Sequence, residues 1–190
     1  MRSLEEDLKA ARDFHGHLCH GQVLGVRMAR IGCVALGIDE PRVYKNLITY
    51  VETDRCAADA VCVVTGCTLG HRRLKWIDYG KMAATFVDLG TGRAVRVALR
   101  SAAPHGGRRE DASTFWQSWR DEDIFDISDV TVEIPSEDMP GPPSRKAICA
   151  RCGELVRDGR EVRGMDVLCR ACAGQPYYRI AAAKSEGVAP

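Results

Sequence analysis

The sequence predicts an α+β core domain followed by a small cysteine-containing domain. Helical and strand patterns are mixed over the first 134 residues without the regular alternation of a βαβ protein, which favours α+β. Residues 135–144 then hold four prolines and a glycine, a composition typical of an extended linker. Beyond the linker, four cysteines are arranged as C-x2-C, sixteen residues, C-x2-C.

The first two helices have clear local signals. Leu4, Leu8 and Ala11 are spaced as on one helical face, and Ser3 before them is a candidate N-cap. Residues 15–21 interrupt this pattern. The helical spacing then resumes, and we expect the second helix to end near Gly37, since glycine is the usual C-terminal cap.

The remaining core elements follow from β-rich runs and from helical spacing. They are, in order, strand 46–52, helix 56–65, strands 81–88 and 94–99 joined by a turn at 90–93, helix 113–120 and strand 124–134. Thr53 and Asp54 are candidate caps for the helix at 56–65. The predicted sheet is therefore mixed with helices along the chain, as an α+β fold requires.

The C-terminal cysteines predict a structural zinc finger. Zn²⁺ takes four thiolates in a tetrahedron, and each C-x2-C pair supplies two of them. The expected ligands are Cys149, Cys152, Cys169 and Cys172. The predicted domains are the core at 1–134, the linker at 135–144, and the finger with its tail at 145–190.

Composition excludes several classes of protein. The chain of 190 residues has no run of eighteen apolar residues, so no membrane span is expected. Its acidic, amphipathic start is unlike a signal peptide, and nine cysteines are an odd number for a disulfide framework. We therefore expect a cytoplasmic protein with reduced thiols. The sequence lacks a Walker A loop, a dinucleotide-binding glycine motif and a serine-hydrolase elbow.

Charge gives weak support for nucleic-acid binding. Residues 144–190 hold nine Lys or Arg against five Asp or Glu, while the whole chain has a net charge of +1. A basic module of this size is common on solvated surfaces, and the basic stretch interleaved with aromatic residues that marks nucleic-acid binders is missing. A nucleic-acid partner is possible but not favoured, and a protein partner for the finger is the other expectation.

The segment Phe14–His20 predicts a second metal or reactive site. His15, His17 and Cys19 alternate, and in extended chain residues two apart point to the same side. Two imidazoles and a thiolate are suitable ligands for one ion, and Zn²⁺ is the expected ion because it accepts mixed nitrogen and sulfur ligands. The alternative is a loop with hydrogen-bonded histidines and a buried cysteine.

Cys56 and Cys67 are further candidates for the same site. Cys56 is predicted in the first turn of a helix, where the helix dipole and Arg55 favour a thiolate. Cys67 lies in a Thr-Gly-Cys-Thr segment at the other end of that helix. Cys33 and Cys62 are interpreted as packing residues, because free cysteine behaves as a small hydrophobe when buried.

Several separated blocks resemble the FmdE family of formylmethanofuran dehydrogenase proteins. The blocks are FHGHLC at 14–19, GVRM at 25–28, ETDRCAADA at 52–60, TGCTLG at 65–70 and DYGK at 78–81. The resemblance implies a core similar to the sheet-and-helix domain of glyceraldehyde-3-phosphate dehydrogenase, a homodimer, and a metal-associated His/Cys site. It also implies a treble-clef finger similar to that of the DksA/TraR proteins. His20 departs from the family, which usually has proline there, and either adds a ligand or reshapes the pocket.

Two hypotheses about function follow. The first is a metalloprotein accessory to a molybdenum or tungsten oxidoreductase, which the resemblance suggests. The second is a regulatory or adaptor protein whose finger binds a protein or a nucleic acid. The sequence does not decide whether the protein is an enzyme.

Overall fold

The computed structural model describes residues 1–103 and 112–181 of the chain. The chain divides into two compact units, residues 1–134 and residues 135–190. No helix among the described residues has the length and apolar character that a membrane span requires.

Among the residues of the first unit that the structure describes, five helices and a five-stranded sheet are formed. The helices are α1 (Leu4–His15), α2 (His20–Leu36), α3 (Cys56–Thr65), α4 (Ala112–Gln117) and α5 (Asp121–Ile124). The strands are β1 (Leu47–Val51), β2 (Leu74–Trp76), β3 (Ala83–Asp88), β4 (Ala94–Leu99) and β5 (Phe125–Val130). The strand order is β2-β1-β3-β4-β5, with β1 and β2 parallel and the other neighbours antiparallel. The predicted α+β class with a mixed sheet is confirmed.

Local chemistry explains the ends of the first two helices. Ser3 and Glu6 form a reciprocal capping box at the start of α1, in which the Ser3 hydroxyl accepts from the Glu6 N–H. Helix α2 ends at Gly37, which adopts φ 74° and donates its N–H to the carbonyl of Val34. Both caps agree with the sequence prediction.

Helix α2 packs closely on the sheet because of a glycine. A methyl group at Gly32 would collide with the ring carbons of Phe86, a fully buried residue of β3. Only a residue without a side chain lets the aromatic ring fill this space. The main core therefore lies between the helices and one face of the sheet.

Some predicted elements differ from the observed ones. Strand β2 was not predicted, and the predicted strand 124–134 is instead the short helix α5 followed by β5. The expected capping of α3 by Thr53 or Asp54 is wrong. The N-cap is Arg55, which makes no side-chain capping bond, while the Thr53 hydroxyl accepts from the Arg55 N–H at 3.3 Å.

The second unit contains a short 3₁₀ turn and two small hairpins. The turn spans Ser136–Asp138, within the segment predicted as linker. The hairpins pair β6 (Lys146–Ile148) with β7 (Leu155–Arg157) and β8 (Val162–Arg163) with β9 (Val167–Leu168). Residues 182–190 of the predicted tail lie outside the described residues.

Candidate metal centres

The end of α1 and the start of α2 bring three potential ligands together. Helix α1 stops at His15 because Gly16 adopts φ 89° and bonds its N–H to the carbonyl of Arg12. Cys19 occupies the N-cap position of α2. One nitrogen each of His15 and His17 and the sulfur of Cys19 lie within 4.8 Å of one another. The expected extended geometry is only partly right, because His15 is the last residue of a helix.

Asp59 of α3 orients the His15 ring. Its Oδ2 lies 2.8 Å from Nδ1 of His15, and the His15 side chain is only 19% exposed. When Nδ1 donates to the carboxylate, Nε2 keeps the lone pair that a metal ion uses. Sequence reasoning did not single out Asp59. Its signal was the spacing of three from Cys56, which puts both residues on the same face of a helix.

Cys56 borders this group from the first turn of α3. Burial, followed by a hydrogen bond with the Cys19 thiol, raises the pKa of Cys56 above its usual value. The prediction that the helix start and Arg55 favour a thiolate here is therefore wrong for the metal-free protein. The backbone carbonyl of Cys56 is also occupied, since it accepts a hydrogen bond from Nε2 of Gln22 at 2.5 Å.

The structure does not bring Cys67 to this group. Cys67 lies just beyond the opposite end of α3, is fully buried, and points its sulfur at the Leu47 carbonyl at 3.4 Å. Cys33 is also fully buried, and burial raises its pKa to about 12. Cys62 is partly buried against the same core. These placements agree with packing for Cys33 and Cys62 and leave Cys67 as a buried thiol.

His20 belongs to an aromatic cluster. The indole N–H of Trp116 donates to Nδ1 of His20 at 2.8 Å. The His20 ring also meets the rings of Phe115 and Trp116 edge to face, at centroid distances of 5.9 and 6.0 Å. One of its two nitrogens is thus occupied by α4, which favours packing over the ligand role that the sequence left open.

The four finger cysteines converge on one point. Their sulfurs all lie within 4.8 Å of one another. Tight turns build the two knuckles: the Gly153 N–H bonds to the Cys149 carbonyl at 2.9 Å, and the Ala173 N–H bonds to the Cys169 carbonyl at 2.9 Å. Gly153 adopts φ 75°, which a residue with a side chain rarely reaches. This convergence is the arrangement that a metal ion with four thiolate ligands requires.

The electrostatics of the finger differ from one cysteine to the next. Backbone N–H groups of Cys152 and then Cys169 lower the pKa of Cys149 to about 6. Hydrogen bonding to the Cys169 sulfur and burial raise the pKa of Cys172 to about 12. Without a metal, one sulfur of the cluster therefore readily becomes a thiolate while another keeps its proton, whereas a bound cation favours deprotonation of all four.

A buried carboxylate braces the loop between the knuckles. The Glu161 side chain is fully buried, with Oε1 lying 2.7 Å from Nη2 of Arg163 and 3.2 Å from Nε of Arg145. Gly159 makes room for this arrangement, since a methyl group there would lie 2.6 Å from Nη2 of Arg145. The ion pair with Arg145, which directly precedes β6, thus ties the loop to that end of the finger.

Comparison with protein families identifies a family for much of the core unit. The model of the family described as "FmdE, Molybdenum formylmethanofuran dehydrogenase operon" matches residues 14–126. The match includes the His15, His17 and Cys19 group and helix α3, and ends within β5.

Individual proteins are also similar over most of this chain. A protein of Archaeoglobus fulgidus named "Probable S-adenosyl-L-methionine-binding protein" is 34% identical over an alignment of 203 positions, and the alignment covers 91% of this chain and 54% of the relative. The chain thus spans about half the length of that curated relative. The crystal structure of a tungsten formylmethanofuran dehydrogenase FmdE-like protein from Syntrophus aciditrophicus superposes with a TM-score of 0.61 at 24% identity, covering 94% of this chain and 96% of that one. The structural match supports the fold.

Proposed function

This chain belongs to the FmdE family, and we propose that it is a metal-binding protein with two separate centres. The core centre would use His15, His17, Cys19 and Cys56, and the finger centre would use its four cysteines. One observation carries the core proposal. Three potential ligands from two helix ends lie within 4.8 Å of one another, and Cys56 borders the start of α2, where a methyl group at Gly21 would lie 3.8 Å from the Cys56 sulfur.

The donor atoms of the core fit zinc. Imidazole nitrogen and thiolate sulfur together are ligands that Zn²⁺ accepts, whereas Mg²⁺ and Ca²⁺ prefer oxygen. When bound with an open coordination position, Zn²⁺ supplies Lewis acidity. The chain itself fixes the tautomer of one ligand, because Asp59 holds Nδ1 of His15 at 2.8 Å. The finger, with four cysteines around one point, fits a closed structural zinc site.

Metal counting on the full-length protein tests both centres. We expect two metal ions per chain by elemental mass spectrometry. Cys19→Ser and Cys56→Ser should each lose about one ion, and Cys149→Ser should lose the other. Cys33→Ser is the matched control, since this buried thiol lies outside both groups. Unchanged metal content in Cys19→Ser and Cys56→Ser would overturn the core centre.

We further propose that the protein is accessory to a molybdenum or tungsten oxidoreductase of the formylmethanofuran dehydrogenase type. The support is the family description, which ties the matching region to the operon of such an enzyme. The test is affinity purification of the tagged protein from its native host, followed by measurement of molybdenum and tungsten in the eluate. An eluate without either metal would count against this role.

The alternative is a regulatory or adaptor role for the finger. Large apolar side chains of the second unit lie open to water, with Tyr177 97% exposed and Ile180 89% exposed. Exposed apolar groups are typical of a surface that meets another protein. A nucleic-acid mobility shift that weakens with salt and is lost in Cys149→Ser would favour the nucleic-acid version of this role. No shift would leave a protein as the partner to seek.

A cytoplasmic homodimer is the expected assembly. The support is family membership together with the two groups of potential cysteine ligands, which need the reduced thiols that the cytosol maintains. Exposed apolar residues of the core, such as Val34 at 69% and Val43 at 67% exposure, are available for an interface. Sedimentation equilibrium of the zinc-loaded protein tests the assembly, and a mass of 20.9 kDa at all concentrations would exclude the dimer.

The Archaeoglobus relative supplies a small molecule to test. S-adenosyl-L-methionine is in the name of a protein that is 34% identical over 91% of this chain. Equilibrium dialysis of the zinc-loaded protein against the labelled compound measures binding. Saturable binding would assign this property to the shared half, whereas its absence would assign it to the part of the relative that this chain does not cover.

A further inference from the structure

A cavity of about 520 Å³ lies in the core unit beside the His15–Asp59 pair. Residues of α1, α3, β1 and β2 and of the turn after α3 form its walls. Its volume lies in the range of roughly 300–1,000 Å³ that small-molecule sites occupy. The residues on which its chemistry depends are Phe14, Asp54, Asp59, Leu69 and Trp76.

Three large apolar side chains at this cavity are open to water. Phe14 is 62% exposed, Leu69 67% and Trp76 50%. Phe14 comes from α1 and Trp76 from β2, so two aromatic rings from distant parts of the chain border the same space. Apolar groups gathered at a concave surface are typical of a ligand site, and aromatic rings favour a flat partner.

The charged residues among those that line the cavity are acidic. Asp54 and Asp59 both line it, and the described residues that line it include no lysine, arginine or histidine. Carboxylates beside aromatic faces attract a cation, because the face of a ring is itself negative. The same walls disfavour a phosphate or a carboxylate, for which they offer no positive partner.

We propose that this cavity binds an organic cation with a flat apolar body, of the class of arylalkylamines. The ring of the ligand lies against Phe14 and Trp76, and its charged nitrogen lies near Asp54 and Asp59. The inference deepens the proposed function and rests on it in one respect. Asp59 also holds His15, so the ligand lies next to a side chain that is proposed to bind the core metal.

Nuclear magnetic resonance of the zinc-loaded full-length protein provides the test. The probes are 2-phenylethylammonium and 2-phenylethanol, which are similar in size and differ in charge. The indole N–H signal of Trp76 reports on the cavity, and Trp76→Phe assigns it. The indole signal of Trp116 is an internal control, since that N–H donates to His20. We expect the cation to shift the Trp76 signal saturably, with the alcohol binding about tenfold more weakly, a difference of about 1.4 kcal/mol.

A pair of aspartate variants separates the charge effect from folding. Asp54→Asn should weaken binding of the cation about fivefold and leave binding of the alcohol unchanged. Asp129→Asn is the matched control, because this aspartate is exposed on β5 and does not line the cavity. The control should bind both probes as the unaltered protein does.

Each result decides between the two proposals. Equal binding of both probes, or a Trp76 signal that neither probe shifts, overturns the cavity proposal. If the same protein holds two metal ions per chain, the metal-centre proposal is unaffected by that result. Selective binding of the cation by a protein that holds no core metal supports the cavity and overturns the metal centre. A Trp76 signal that moves with protein concentration alone assigns the surface to a second copy of the chain and overturns the ligand proposal.

Discussion

Gly25→Ala tests whether the close approach of α2 and α3 sets the geometry of the core centre. A methyl group at Gly25 would lie 2.8 Å from the Cα and the carbonyl oxygen of Ala57, and 2.8 Å from the Cβ of Ala60. Favourable carbon–carbon contacts lie at roughly 3.5–4.0 Å, so the helices must separate by about 1 Å. Cys19 caps one of these helices and Cys56 begins the other.

The expected loss of stability is about 2 kcal/mol. Overpacking costs about 1–3 kcal/mol, and the upper end applies here because two of the obstructing atoms belong to backbone that cannot rotate away. Alanine is a better helix former than glycine by about 1 kcal/mol, which offsets part of this loss. At an m-value of about 2 kcal/mol/M, the midpoint of urea unfolding should fall by about 1 M.

Tryptophan fluorescence is a suitable assay because all three tryptophans lie within residues 1–134 and report on the core unit alone. Gly70→Ala is the control, since a methyl group there meets open space and should change stability by less than about 0.5 kcal/mol. A rise in the Gly25→Ala midpoint, as helix propensity alone predicts, would refute the close packing. Metal content measured on the same samples shows whether the separation also reaches the core ligands.

Three further predictions concern the finger, the pH dependence and the thiols. Chelation of zinc should make residues 145–175 sensitive to protease before the core, since a module this small depends on its metal to fold, and continued resistance in limited proteolysis would contradict this. Burial raises the pKa of Asp88, but hydrogen bonds from a tyrosine, a threonine and a glycine N–H outweigh it and hold that pKa below the usual 3.8. The ionised Asp88 therefore stabilises the fold at pH values above 3.8, and this stabilisation is lost as the pH falls through the lowered pKa. Asp88→Asn should thus cost about 1 kcal/mol near pH 7 in urea unfolding, and the difference should shrink in acid, whereas a constant difference would exclude the assigned ionisation. In alkylation of the folded, metal-free protein followed by mass spectrometry, Cys19 should react while Cys33 and Cys67 stay unlabelled, because only Cys19 is accessible to solvent. Early labelling of Cys33 or Cys67 would show that the core opens.

Elements with a signal in their own residues were predictable from the sequence. The residues of the capping box at Ser3 and the left-handed glycine after α2 lie within a few positions of the helix ends that they determine. Helix α3 was predicted with its observed bounds, Cys56–Thr65. Strand β2 was missed because it has three residues, too few to show a period, and exists through its parallel pairing with β1 more than twenty residues earlier in the chain.

The core site was predictable in part, for a related reason. The spacing of His15, His17 and Cys19 is local, and the structure brings these residues together. Cys56 was expected to be a thiolate from its place at a helix start, but burial and the nearby Cys19 reverse the shift of its pKa. The pairing of Asp59 with His15, and the position of Cys67 away from this group, depend on which end of α3 faces α1. A single sequence does not carry that information.

The two centres therefore depend on different physics. Each knuckle of the finger contains a hydrogen bond between residues four apart, and the Ala150 N–H also donates to the Val167 carbonyl at 2.9 Å, so the finger is held by bonds within the second unit. The proposed core centre draws its ligands from α1, the start of α2 and α3, and it requires these helices to pack closely. Glycines make that packing possible. A methyl group at Gly21 would lie 3.1 Å from the Cβ of Cys56, and one at Gly25, one turn further along α2, would lie 2.8 Å from the backbone of Ala57. The glycines of α2, which bind nothing themselves, are thus as much a requirement of the core centre as its ligands.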